Sequence, residues 1–151
     1  MYQSAYMVDM AVAATASVAP NNPLRSTITG TAEWRWSPGY IPGVVRAVAV
    51  SIVSSAAFIA TGTKPKLSVR RNVFGAASVS GDELDDIALT SGQAAGSVKF
   101  LDNLNITVSP GQEITIVPSV LATAVLTAGV QLFVETKHEV PGNITAMTET
   151  V

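Results

Sequence analysis

The chain has no cysteine, one histidine and few charges: 9 Lys+Arg and 11 Asp+Glu in 151 residues, or 13% charged, where soluble domains average about 25%. Without cysteine there is no disulfide, no thiolate nucleophile and no thiolate metal site. The lone imidazole, His138, has no second histidine with which to hold zinc. No cysteine and no Gly-x-Ser-x-Gly elbow gives it a nucleophile to activate. It reads as a solvated residue following the strand that starts at Val130. The formal charge of −2, the isoelectric point near 5.2 and the scattered cations argue against a phosphate-neutralising surface, so no direct nucleic-acid partner is expected. No catalytic residue is assigned, no cofactor is implied, and the chain is not expected to be an enzyme.

What the chain does have is apolar surface, with 48% of residues hydrophobic. That excludes disorder, and a domain of this length buries about 70% of its unfolded surface without covalent staples. Residues 1–20 are apolar and Ala-rich, but they lack a basic leading region and are interrupted by Asp9, so they do not read as a signal peptide. Residues 114–134 form an uncharged run of 21, long enough to span a bilayer. Pro118, Gly129 and Gln131 break it, and acids rather than bases flank it at Glu113 and Glu135. The run is expected to form a soluble β-hairpin, and no membrane partner is expected.

Turn signals punctuate the sequence at Asn21-Asn22-Pro23, Ser37-Pro38-Gly39, Ile41-Pro42-Gly43, Gly62-Thr63-Lys64-Pro65, Ser80-Gly81-Asp82, Ser91-Gly92, Asp102-Asn103, Ser109-Pro110-Gly111 and Pro141-Gly142-Asn143. The segments between them alternate as strands do. Val130, Leu132 and Val134 share one face with Phe133 on the other; Ile114 and Ile116 point together; Leu67 and Val69 point in while Ser68 and Arg70 face out. Residues 44–53 are apolar on both faces apart from Arg46 and read as a strand buried on both sides. This pattern predicts an all-β fold: an antiparallel β-sandwich of jelly-roll type with about eight strands. Residues 1–20 form an N-terminal arm or first strand, and 21–151 form the single sandwich domain. Apolar residues remain on both faces of several strands, so a homo-oligomer is expected.

Four groups of residues could carry a site. The acids Asp82, Glu83, Asp85 and Asp86 read as a hydrated loop, with a Ca²⁺ site as the alternative, although the spacing is not that of an EF-hand. Trp34 and Trp36 share a strand face, with Tyr40 just beyond; they read as buried anchors, with a sugar-stacking platform as the alternative. That alternative makes a carbohydrate-binding module or tail-associated adhesin the rival function. Lys64, Lys66, Arg70 and Arg71 form a basic cluster too small for duplex DNA, and the sequons at Asn105 and Asn143 carry no weight without a secretion signal. The interface candidates are Tyr2, Tyr6, Met7 and Met10 in the N-terminal segment, together with Trp34, Trp36 and Phe133.

From Pro42 onward the order of segments is a Gly-Val-Val strand at Gly43, then Leu67-Ser68-Val69-Arg70-Arg71, Ala95-Gly96-Ser97-Val98, Pro110-Gly111-Gln112-Glu113-Ile114, Leu132-Phe133-Val134-Glu135 and the tail Pro141-Gly142-Asn143-Ile144-Thr145-Ala146-Met147. In this order the chain resembles the capsid decoration, or cement, proteins of tailed bacteriophages. The resemblance implies a trimeric β-sandwich on the capsid exterior that bridges neighbouring copies of the major capsid protein and stabilises the virion. The N-terminal segment is then the expected arm against the shell.

Overall fold

A computed structural model describes residues 2–12, 25–27, 33–55, 66–89, 96–120 and 126–138. Its strands are β1 (Tyr2–Asp9), β2 (Ala11–Val12), β3 (Arg25–Thr27), β4 (Trp34–Trp36), β5 (Gly43–Ser55), β6 (Lys66–Val73), β7 (Glu83–Ala88), β8 (Val98–Leu101), β9 (Ile106–Val108), β10 (Gln112–Val120) and β11 (Leu126–His138). They form two antiparallel sheets. The first runs β1-β11-β5-β8, with β3 also on β11 and β9 also on β5; the second runs β2-β4-β10-β6-β7. The chain changes sheet at each step from β3 to β6, again between β7 and β8, and at both steps from β9 to β11. That alternation is the double Greek key of a jelly roll, to which β1 and β2 add an N-terminal strand shared between the sheets.

The inward faces meet in one core. Val45, Val48, Val50, Ile52, Ala128, Val130, Leu132 and Val134 come from the first sheet; Trp34, Leu67, Val69, Ile87, Ile114 and Ile116 come from the second. Strand alternation places each set on one side of its sheet, and the removal of these side chains from water is the main stabilising term.

Two sequence expectations change here. Residues 114–134 are not a hairpin: β10 pairs with β4 and β6, whereas β11 pairs with β1, β3 and β5. Ile114 and Ile116 on β10 and Val130, Leu132 and Val134 on β11 face the same core, so the two strands lie in opposite sheets instead of side by side. Nor does β5 keep its alternation, because a bulge between Val45 and Ala47 inserts Arg46 and turns Val45 inward with Val48 and Val50. The outer face of β5 is therefore only partly covered: Val44, Ala47 and Ser51 are half-buried there and Ala49 is buried.

The first strand-pair contact of β5 has no room for a side chain. A Cβ on Gly43 would sit 3.0 Å from Val134 Cγ1 and 3.1 Å from Trp36 Cη2. Gly43→Ala is expected to destabilise the domain by about 1–3 kcal/mol through overpacking, measured by denaturant unfolding.

Candidate functional site

The outer face of the first sheet is apolar at its centre. Met7 on β1 stands opposite Phe133 on β11, Phe133 stands opposite Ala47 on β5, and Ala49 stands opposite Phe100 on β8. Met7 is 56% exposed, Phe100 62% and Phe133 38%, and Val98 lies exposed beside them. The two alanines keep the middle of the face low between the two rings. Among the described side chains, three polar contacts lie beside it. Gln131 Nε2 donates to Asp9 Oδ1 at 2.7 Å, and Arg46 Nε donates to Glu135 Oε2 at 2.7 Å while its Nη1 reaches Asn105 Oδ1 at 2.6 Å. The result is a patch of large apolar side chains rimmed by self-satisfied polar groups, the arrangement expected of a surface that is covered by a partner.

The outer face of the second sheet is the opposite: polar, internally bonded and closed. Glu113 on β10 is buried and its Oε1 accepts from Arg35 Nη1 at 2.6 Å and from Asn72 Nδ2 at 2.8 Å. Thr115 donates to Asn72 Oδ1 at 3.1 Å and lies 3.0 Å from Ser78 Oγ. Ser68 donates to Glu83 and accepts from Arg70 Nε at 3.1 Å. The segment following β6 folds back over this cluster: Ala76 O accepts from Asn72 Nδ2 at 3.2 Å, and Ser78 O lies 3.4 Å from Arg70 Nη1. Ser68 does face away from the core, as its alternation predicts, but it is completely buried, with Glu83 and Arg70 bonded to it. Alternation assigns a face and carries no information about what covers that face. A network of this kind fixes register, and within it Glu33 Oε1 and Arg35 Nε are buried without a hydrogen-bond partner.

The acidic residues disperse. Asp86 accepts from Lys66 Nζ at 2.8 Å, Glu83 turns to Ser68, Asp82 Oδ2 caps the Val79 amide at 3.2 Å, and Asp85 Oδ1 accepts from the Asp86 amide. Among the described residues no group of three or more acids or histidines is placed to hold a metal ion. The hydrogen bond to Asp86, with its charge, holds the Lys66 ammonium above its ordinary 10.5. Because the shift is upward, the contribution of this exposed pair is complete below that value and is lost as pH rises through the raised one. An NMR titration of Lys66 is expected to show a midpoint above 10.5 that Asp86→Asn lowers.

Of the interface candidates, Tyr6, Met7 and Phe133 are exposed. Met10 and Trp34 are fully buried, and Trp36 is packed against the core, so these three are anchors of the sandwich. The N-terminal segment is a docked strand through Asp9, paired with β11 from Tyr2↔His138 to Asp9↔Gln131, and Met10 turns into the core where its amide donates to Val130 O. His138 is thus the last residue of β11, not a loop residue. Residues 13–20, Lys64, Asn143 and the tail from Pro141 lie outside the described residues. Val98 and Phe100 alternate legibly in the sequence, but their outward direction is set by the pairing of β8 with β5.

One aromatic site escapes strand logic because it lies on turns. Tyr40, 98% exposed, and Phe74, 64% exposed, flank an open groove of about 480 Å³ lined also by Ser37, Gly39 and Gly111. Gly39 and Gly111 have φ of 70° and 83°, a region that side chains strain to enter, and the space above them is open.

No protein-family model matches the chain, and no curated protein matches its sequence. Solved structures match its fold. The CBM36-1 domain of a multidomain xylanase from the hindgut metagenome of Trinervitermes trinervoides superposes with a TM-score of 0.51 at 11% identity, covering 91% of this chain and 99% of that one. The carbohydrate-binding module CBM36 in complex with calcium and xylotriose gives 0.50 at 17% identity, covering 87% and 99%. Tomato aspermy virus gives 0.40 at 12% identity, covering 93% and 80%. At these identities the likeness to the two CBM36 structures is one of fold, and the fold of the chain is an antiparallel β-sandwich.

Proposed function

We propose that this chain is a structural protein of a tailed-phage virion, a decoration protein that binds the outside of the head as a homo-oligomer and reinforces contacts between major capsid subunits. One observation carries the reading: the exposed apolar face formed by Met7, Phe133, Phe100 and Val98, beside which Arg46 is paired with Glu135 and Asp9 is hydrogen-bonded to Gln131. A passive clamp of this kind works by covering surface on several neighbours at once, and needs no reacting group. Several copies held together multiply weak contacts by about 10² to 10⁴ in avidity. The resemblance of the segment order to cement proteins supports the same reading. Purified virions are expected to contain the chain in amounts comparable with the major capsid protein, and heads that lack it are expected to rupture under milder heating or osmotic shock. Recovery of the chain only from the particle-free fraction would overturn the reading.

The groove between Tyr40 and Phe74 favours a second reading as a carbohydrate-binding module, since exposed rings over a glycine floor suit the apolar face of a sugar. Xylotriose with calcium, bound by one of the similar folds, is the probe. Under this reading Tyr40→Ala abolishes binding and leaves folding intact; absence of binding by the wild-type chain removes it.

A further inference from the structure

Among the described residues, the sandwich has one long sheet edge without a guard. Along the second sheet, β7 ends the array with Glu83, Asp85 and Asp86 in six residues, and β2 has only two residues. On the far side of the first sheet, β8 and β9 have four and three residues. Charge and shortness are the usual devices that stop an edge from pairing with another chain. β1 has neither: its eight residues contain no proline and no charge before Asp9, and among the described residues nothing pairs with its outer side.

The register shows which backbone groups are free. Met10 donates its amide to Val130 O, and hydrogen-bonded positions alternate along an antiparallel ladder. The even residues of β1 therefore bond to β11, while Gln3, Ala5, Met7 and Asp9 turn their N–H and C=O groups outward. We propose that this edge pairs with the same edge of a second copy, antiparallel and about a two-fold axis at Tyr6. In that register Gln3 stands opposite Asp9 of the second copy, Ala5 opposite Met7, and Tyr6 opposite Tyr6. Each outward position meets another outward position, as the ladder requires. The two aspartates sit at opposite ends of the paired segment, whereas parallel pairing would set them side by side. The large and small side chains alternate on the outer face, and the half-exposed Tyr6 rings meet as a cross-strand aromatic pair.

Such a two-fold axis is perpendicular to the sheet, so the paired sheets are continuous and both apolar outer faces look the same way. This deepens the decoration reading without depending on it: one dimer offers two coplanar patches to neighbouring shell subunits. A two-fold pair differs from the trimer that the family resemblance implies, and sedimentation separates the two.

The full chain tests this by itself, with no particle present. Sedimentation equilibrium is expected to give twice the chain mass for the wild type and the single mass for Ala5→Pro, which deletes an outward N–H and leaves the β11 ladder alone. Tyr6→Cys is expected to form a covalent dimer on mild oxidation, because cross-strand partners at a non-hydrogen-bonded position are about 4.5 Å apart between Cα atoms, within disulfide reach. No other cysteine exists to compete. Ser4→Cys is expected to stay uncrosslinked, its counterpart lying about 14 Å along the strand. A monomeric or trimeric wild type, a dimeric Ala5→Pro, or equal crosslinking of the two cysteine variants would overturn the proposal; should Ala5→Pro fail to fold, the cysteine pair decides. Phe133→Glu is expected to leave the dimer intact, so failure here is distinguishable from failure of the shell-binding face.

Discussion

Trp34→Ala is expected to destabilise the domain by about 3–5 kcal/mol, the range for removing a large aromatic from a packed core. Trp34 is completely buried on β4, in a cluster with Met10, Ile114 and Ile116, and β4 has only three residues with which to hold its place in the sheet. Loss of the ring opens a void that short strands and a rigid sandwich cannot collapse around. For a domain of this size the loss corresponds to a fall of roughly 10 °C in Tm or more, read by thermal unfolding. A variant of wild-type stability that has lost affinity for a glycan would place the ring on a binding surface and contradict the packing described above.

The second large effect concerns charge. Glu113→Ala is expected to cost about 2–3 kcal/mol, because it removes the buried acceptor shared by Arg35 and Asn72, leaving Arg35 its pair with Glu33 and Asn72 only its longer bonds to the Val73 and Ala76 carbonyls. Arg35→Ala removes the charge facing the buried carboxylate and leaves it Asn72 Nδ2 as a donor, and is expected to cost a similar amount. The two losses overlap, so a double-mutant cycle is expected to return a coupling of about 1–3 kcal/mol. Glu113→Gln keeps an acceptor in the same place and is expected to cost less than Glu113→Ala. Additive single losses, measured by chemical denaturation, would mean that Arg35 and Glu113 stabilise the roofed face independently.

The architecture was legible because its signals are local. Alternation at Leu67 and Val69, at Ile114 and Ile116, and at Val130, Leu132 and Val134 names the inward face of β6, β10 and β11, and turn residues separate the segments. What sequence could not supply is long-range. The bulge at Arg46 shifts one residue of register within an unbroken apolar run, and no residue type announces it. The face-to-face placement of β10 and β11 is decided by which sheet each joins. Glu113 and Ser68 are buried among side chains that neighbouring strands bring to them, Arg35 and Asn72 at the first and Glu83 and Arg70 at the second. Met10 looks like the rest of the N-terminal apolar segment but marks the point where the chain leaves one sheet for the other.

The candidate site divides along the same line. Phe133 was legible as an outward ring opposite an inward stripe. Its partners Met7 and Phe100 come from the chain beginning and from the segment before β9, and only the pairing of β1 and β8 onto β11 and β5 brings them to one face. Trp34 and Trp36 carried the aromatic signal in the sequence, yet the most exposed ring among the described residues is Tyr40 on a turn, where strand periodicity says nothing.

The central claim is that the outer face of the six-stranded sheet is a shell-binding surface, and co-sedimentation of the purified chain with phage heads stripped of it measures this directly. Wild-type chain is expected to pellet with the heads to saturation, and Phe133→Glu, folded and soluble, is expected to bind at least tenfold more weakly, about 1.4 kcal/mol at each face. Equal binding by the two proteins, or no pelleting of the wild type, would contradict the account.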